Sequence, residues 1–156
     1  MTVLVIETFV RASQERCFDL ARDVDVHCKT AAFTEESAIP PGRLSGMLEL
    51  GDSVVFEAKH LGVRQRLGAR IVSMEPPERF SDEMTFGIFD HFFHTHEFVQ
   101  SEGGTLVRDI LEWRSPLGLL GLVADALIVK RHLRRFLERR NENFKAFAED
   151  PGESLS

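Results

Sequence analysis

The segment Phe92-Phe93-His94-Thr95-His96-Glu97-Phe98 alternates two kinds of side chain. Successive side chains of a β-strand point to opposite faces, so Phe92, His94, His96 and Phe98 share one of them. That face is too apolar for bulk water and too polar for an ordinary core. It suits the wall of a pocket.

Turn chemistry on either side of the segment sets its neighbours, because hairpin loops fix register. A connection through Ser101-Glu102-Gly103-Gly104 pairs Gln100 with Thr105, Phe98 with Val107, His96 with Asp109, His94 with Leu111 and Phe92 with Trp113. On the other side, a turn at Gly87-Ile88-Phe89 pairs Phe86 with Asp90, Met84 with Phe92, Asp82 with His94 and Phe80 with His96. Each histidine therefore faces an aspartate.

Working outward, Val3 to Val10 reads as a strand, and Ala12-Ser13 followed by Glu15 and Arg16 opens a helix to about Arg22. A second short helix covers Val24 to Thr30, and Phe33 to Ile39 reads as an edge strand stopped by Pro40-Pro41-Gly42. Arg43 to Asp52 is a loop or short strand. A meander follows: Ser53 to His60, a Leu61-Gly62 turn, Val63 to Met74, a Pro76-Pro77 turn, Phe80 to Phe86, Asp90 to Gln100, and Thr105 to Trp113. After Ser115-Pro116, apolar residues recur at three- and four-residue spacing through Leu119, Leu122, Ala126, Val129, Leu133, Phe136, Phe144 and Phe147, with Arg140 the one polar member of the row. This spacing predicts one long helix from about Leu117 to Ala148. Residues 1–150 form a single domain, and 151–156 are expected to be a disordered tail.

An antiparallel sheet of about seven strands cannot bury one face under two short helices, so the long amphipathic helix must lie across its concave side. The fold class is α+β. Where sheet and helix do not touch, a cavity remains.

Composition narrows the function. The chain has 156 residues, 43% of them apolar, with thirteen Phe, one Trp and no Tyr. Aromatic surface without a polar handle favours an apolar interior or apolar ligands. A net charge of −6 argues against nucleic acid as a partner, which needs a basic footprint. The N-terminus lacks the basic start and apolar core of a secretory signal, and the longest apolar run, Leu117 to Val129, contains Asp125 and falls short of the roughly 20 residues that cross a bilayer. A cytoplasmic protein is expected. Cys17 and Cys28 lack CxxC spacing and read as reduced, buried thiols. Gly118 and Gly121 belong to no phosphate-binding motif, so no cofactor is expected; they allow close packing, or a gate, at the start of the helix.

The order of strand, two short helices, strand meander and long closing helix resembles the helix-grip fold of the SRPBCC superfamily, which includes START domains and birch-pollen-allergen-like proteins. The most specific residues are Phe80-x-Asp82-Glu83, Gly87-x-Phe89, His94-x-His96-x-Phe98, Gly104-Thr105, Asp109 and Pro116-Leu117-Gly118, together with Gly51-Asp52 and His60-Leu61-Gly62-Val63. They are similar to the polyketide cyclase/dehydrase-like branch. The resemblance implies a deep hydrophobic cavity for a lipid, polyketide, sterol or quinone-like molecule, and the fold alone does not select among them.

With these registers, the inward face carries Phe56, Ala58 and His60, then Gln65, Leu67 and Ile71, then Phe80, Asp82, Met84 and Phe86. Phe92, His94, His96, Asp109, Leu111 and Trp113 complete it. Leu122, Ala126 and Val129 on the closing helix are core residues that become ligand contacts where a void lies beneath them. Ionisable groups in such a lining must pair, since an unpaired buried charge costs several kcal/mol.

In one reading, Asp82 with His94 and Asp109 with His96 fix the tautomers of the imidazoles and leave a nitrogen for the ligand, as an anchor or as the proton-transfer group of a cyclase or dehydratase. In another, the couples only satisfy each other and fix strand register. His94-x-His96 also has metal-ligand spacing, with Asp109, Asp82 or His60 as a third ligand, but two ligands at this spacing are a weak signal and no metal is assigned. Lys130, Arg131, Arg134, Arg135, Arg139 and Arg140 form a basic stretch that reads as a solvated helix face, or as a contact for anionic lipid headgroups through Arg131, Arg134, Arg135 and Arg139. The leading function is binding or carriage of an apolar small molecule.

Overall fold

In the computed structural model, which describes residues 1–153, β1 (Thr2–Val10) leads through α1 (Gln14–Ala21), α2 (Val24–Thr30) and a 3-10 turn at Ala32–Thr34 into β2 (Ser37–Ile39). The meander is β3 (Ser53–His60), β4 (Val63–Glu75), β5 (Arg79–Phe86), β6 (His91–Ser101) and β7 (Gly104–Arg114). All seven strands join one antiparallel sheet in the order β1-β7-β6-β5-β4-β3-β2. The closing helix is continuous from α3 (Gly118–Ala124) through a wide π-turn, Asp125–Val129, into α4 (Lys130–Glu149). This is the helix-grip fold.

Local chemistry explains the boundaries. The Ser13 hydroxyl accepts the Arg16 N–H to start α1, and the Asp23 carboxylate accepts the N–H groups of Asp25 and Val26 to start α2. Leu61 and Gly62 both have positive φ, 52° and 79°, as a two-residue hairpin requires. Only Ser37–Ile39 of the expected edge strand is extended, because residues 32–34 close a helical turn first.

The β6–β7 register is the expected one, from Phe92 opposite Trp113 to Gln100 opposite Thr105, and the loop tightens to Glu102-Gly103. Between β5 and β6, Phe80 lies opposite His96 and Asp82 opposite His94. That ladder ends at Glu83 and Phe93, so the expected pairs of Met84 with Phe92 and of Phe86 with Asp90 do not form. Met84 and Phe86 instead pair with Ala69 and Gly68 of β4, where the register shifts. A bulge re-aims the side chains beside it.

The closing helix departs from a uniform period. Its buried row runs through Gly121, Asp125, Leu137, Arg140, Asn141, Phe144 and Ala148. The π-turn adds a residue to one turn and rotates everything before it, so Leu119, Leu122 and Ala126 face outward. A Cβ on Gly121 would strike the Pro116 carbonyl, so the helix start packs closely there. Of the expected tail, Pro151–Glu153 make a turn whose Glu153 carbonyl accepts from Arg16, and 154–156 lie outside the described residues. No helix among the described residues is long and apolar enough to cross a membrane.

The apolar interior divides in two. One cluster packs α1 and α2 against the sheet through Phe18, Leu20, Val24, Phe80 and Phe98. The other gathers Leu4, Ile6, Phe92, Leu111, Trp113 and Leu137.

Candidate functional site

Between the two clusters lies a cavity of about 210 Å³, bounded by the sheet on one side and by α2 and α4 on the other. By the same measure a single water needs roughly 10–15 Å³, so the space suits an organic molecule. Phe56, Leu67, Phe92, Leu111 and Val129 line it, as expected, with His60, His94, His96 and Asp82. Five of the six histidines, His27, His60, His94, His96 and His132, reach its wall.

Several expected wall residues lie elsewhere. Trp113 is fully buried in the second cluster, and Met84 packs against that cluster. Phe86 covers Gly68 and is half-exposed, because the bulge at Thr85 turns this end of β5 away. Leu122 and Ala126 face outward before the π-turn. Asp109 stands behind the histidines rather than on the wall of the cavity.

The polar cluster is linked diagonally across the strands. His94 Nε2 lies 2.8 Å from Asp109 Oδ1, and His96 bridges two carboxylates, with Nε2 3.1 Å from Asp82 Oδ2 and Nδ1 3.2 Å from Asp109 Oδ1. The expected couples, Asp82 with His94 and Asp109 with His96, follow the backbone register; the side chains lean along the strand, so His94 reaches Asp109 instead. Asn141 donates to Asp109 Oδ2 at 2.8 Å, and the Arg140 guanidinium stands 3.7 Å from Oδ1. Asp109 is thus the hub. Its expected partnership with His96 is present, and it also holds His94.

These contacts set the protonation of each group. Burial disfavours charge on every member. Against it, the hydrogen bonds from His94 and His96 hold Asp109 well below the usual carboxylate range, and those to Asp109 and Asp82 raise the pKa of His96. His94, buried and beside the His96 imidazole, is pushed down to about 4. His94 is therefore neutral at pH 7. With Nε2–H donating to Asp109, its Nδ1 carries a lone pair that has no partner among the described residues and is not sealed from the cavity.

A second polar group lies on the cavity wall. His60 Nδ1 and His132 Nε2 are 2.9 Å apart, joining the end of β3 to α4, and His27 stacks on Phe56 while meeting Glu36 at 3.3 Å. Sequence reasoning missed His27, Glu36 and His132, which lie on separate elements with no shared spacing. It placed Arg140 both in the apolar row and in a solvated stretch; the structure buries it, as its place in the row had signalled. Asp82, His94 and His96 bring ligand atoms within 4.8 Å of one another and could close on one metal ion, although these side chains already hydrogen-bond within the cluster, His94 to Asp109 and His96 to Asp82. Cys17 and Cys28 are free thiols on α1 and α2, away from this cluster, with burial pushing both pKa values up to about 11.

The sheet and closing helix place this chain among helix-grip proteins in fold. The protein TTHA0849 of Thermus thermophilus superposes with a TM-score of 0.75 at 18% identity, over 93% of this chain and 95% of that one. Protein CV1439 of Chromobacterium violaceum gives 0.72 at 14% identity, over 95% and 97%. The major latex-like protein 151 of Panax ginseng gives 0.69 at 11% identity, over 96% and 98%. No family model and no curated relative matches the sequence. At these identities the likeness establishes the fold, which is the one the sequence resemblance implies.

Proposed function

We propose that the chain binds or carries an apolar small molecule that bears one hydrogen-bond donor, such as a hydroxyl, held between the sheet and α4 with the donor on His94. The observation that carries this reading is the His94 Nδ1 lone pair on an otherwise largely phenylalanine and aliphatic wall. Asp109 holds the tautomer that keeps Nδ1 an acceptor, and Asn141 and His96 hold Asp109. Sterols and quinols carry such a hydroxyl, as do many lipids and polyketides. Exchange of the ligand at an anionic membrane through Arg131, Arg134, Arg135 and Arg139 belongs to the same reading.

A cyclase or dehydratase using His94 or His96 gains less support. Both nitrogens of His96 are engaged by carboxylates, and a His94 with a pKa near 4 is a weak base at neutral pH.

The test is a binding titration with alcohol and methyl ether pairs built on isoprenoid, sterol and aromatic frames. The alcohol of at least one pair is expected to bind about tenfold more tightly than its ether, the net worth of one hydrogen bond. The gap should vanish in His94→Phe. Equal affinity of alcohol and ether throughout would remove His94 as the anchor.

A further inference from the structure

The first half of the closing helix presents apolar side chains outward. Leu119, Leu120, Val123 and Leu127 are 80, 73, 55 and 68% exposed. Leu120 and Val123 share one side of the helix by three-residue spacing, and across the π-turn the exposed positions run on through Leu127 into Arg131 and Arg134. The only carboxylate between Leu117 and Leu137 is Asp125, which is buried and bonded to the hydroxyls of Thr2 and Ser115. The exposed side of this stretch is therefore apolar and then cationic, with no anion in it.

The same region borders the exposed rim of the cavity, where the lining residue Leu61 is 62% exposed. Val129 and His132 line the cavity, and the His60–His132 contact brings the β3–β4 hairpin, with its exposed Leu61, against the first turn of α4. Soluble monomers rarely leave so much contiguous apolar surface without a use.

We propose that this helix face docks the protein on an anionic lipid bilayer, with Leu120, Val123 and Leu127 at the boundary of headgroups and acyl chains and Arg131 and Arg134 on lipid phosphates, so that this rim of the cavity faces the membrane. The proposal rests on the cavity-binding reading. Three observations favour a bilayer. An apolar face followed by arginines matches the layering of an anionic bilayer surface. The net charge of −6 repels that surface from the rest of the protein, which orients the approach. In a symmetric contact with a second copy the same patch meets itself, and Arg131 and Arg134 would find no carboxylate within it.

Flotation of the full chain with vesicles tests the proposal. Equimolar phosphatidylcholine and phosphatidylglycerol vesicles should carry the protein upward, and vesicles of phosphatidylcholine alone should not. Arg131→Gln and Arg134→Gln should each weaken binding about fivefold at low salt, and Leu120→Ser with Leu127→Ser should abolish it. None of these side chains lines the cavity, so uptake of a cavity ligand from detergent-free solution should persist in every variant. Equal binding to both vesicle types, or to neither, overturns the proposal. So does a concentration-dependent dimer that the leucine variants abolish in the absence of vesicle binding. Vesicle binding without ligand uptake would instead count against the cavity reading and leave the docking surface standing.

Discussion

The imidazoles of His94 and His96 stack with ring centroids 3.8 Å apart, yet the site shifts their pKa values in opposite directions. Held between Asp82 and Asp109, His96 binds its proton more tightly than a free imidazole, and His94 is kept neutral beside it. Nitrogen-resolved NMR across pH should find His96 titrating above the ordinary histidine range and His94 near 4. Asp109→Asn should lower the His96 value. Two rings titrating together near 6.5 would contradict this arrangement.

Stability should depend on pH in a way that separates the two rings. An unfolded His94 takes up a proton near 6.5, whereas the folded one refuses it until about 4, so stability falls as pH drops through that window. The raised His96 works in the other direction: its contribution is complete below 6.5 and is lost as pH rises through its folded value. Asp109 adds stability that is complete above 3.8 and is lost as pH falls below it. Chemical denaturation followed through the single buried Trp113 should show a maximum near neutrality. His94→Gln should flatten the acid limb between 6.5 and 4, an effect on the order of 3 kcal/mol.

Asp109 should matter more to stability than Asp82. Asp109 is 2% exposed and serves His94, His96 and Asn141 at once, whereas Asp82 keeps one flank toward the cavity. Breaking a buried ionic cluster by removing one partner costs about 3–5 kcal/mol. Asp109→Ala is expected to lose that much in urea unfolding, and Asp82→Ala clearly less. Equal losses would show that the two carboxylates share the load.

The His60–His132 contact should make ligand exchange faster in acid. Burial lowers the pKa of both rings, and for His60 the neighbouring His132 adds to it, so both are neutral at pH 7 and repel once protonated. Stopped-flow displacement of a bound fluorescent ligand should accelerate as pH falls below the ordinary histidine range. His132→Phe should remove that dependence, and an unchanged acid acceleration in this variant would place its origin elsewhere.

Most of the architecture was legible because it rests on local chemistry. The alternation from Phe92 to Phe98, the Gly103 turn and the caps at Ser13 and Asp23 each determine structure within a few residues. The Asp–His relationship was legible as backbone register, and its diagonal linkage was not, because register says nothing of how side chains lean. The outward turn of Leu119, Leu122 and Ala126 could not be read from a uniform helical period, since the π-turn at Asp125–Val129 breaks it. Asp125 carried the one available hint: a lone carboxylate in an apolar run that turned out to face inward, onto Thr2 and Ser115. The positions of Met84 and Phe86 depended on a bulge within β5, where Thr85 is the extra residue between them, and a threonine looks like an ordinary strand residue.

The most direct test of the cavity reading is native mass spectrometry of the full chain purified without detergent, with organic extraction of whatever travels with it. The expected result is a one-to-one adduct, or stoichiometric uptake of an offered apolar alcohol, that Ala58→Phe, which fills the cavity wall, reduces at least tenfold. Protein that carries no adduct and takes up no fatty alcohol, sterol, quinol or aromatic polyketide would contradict it.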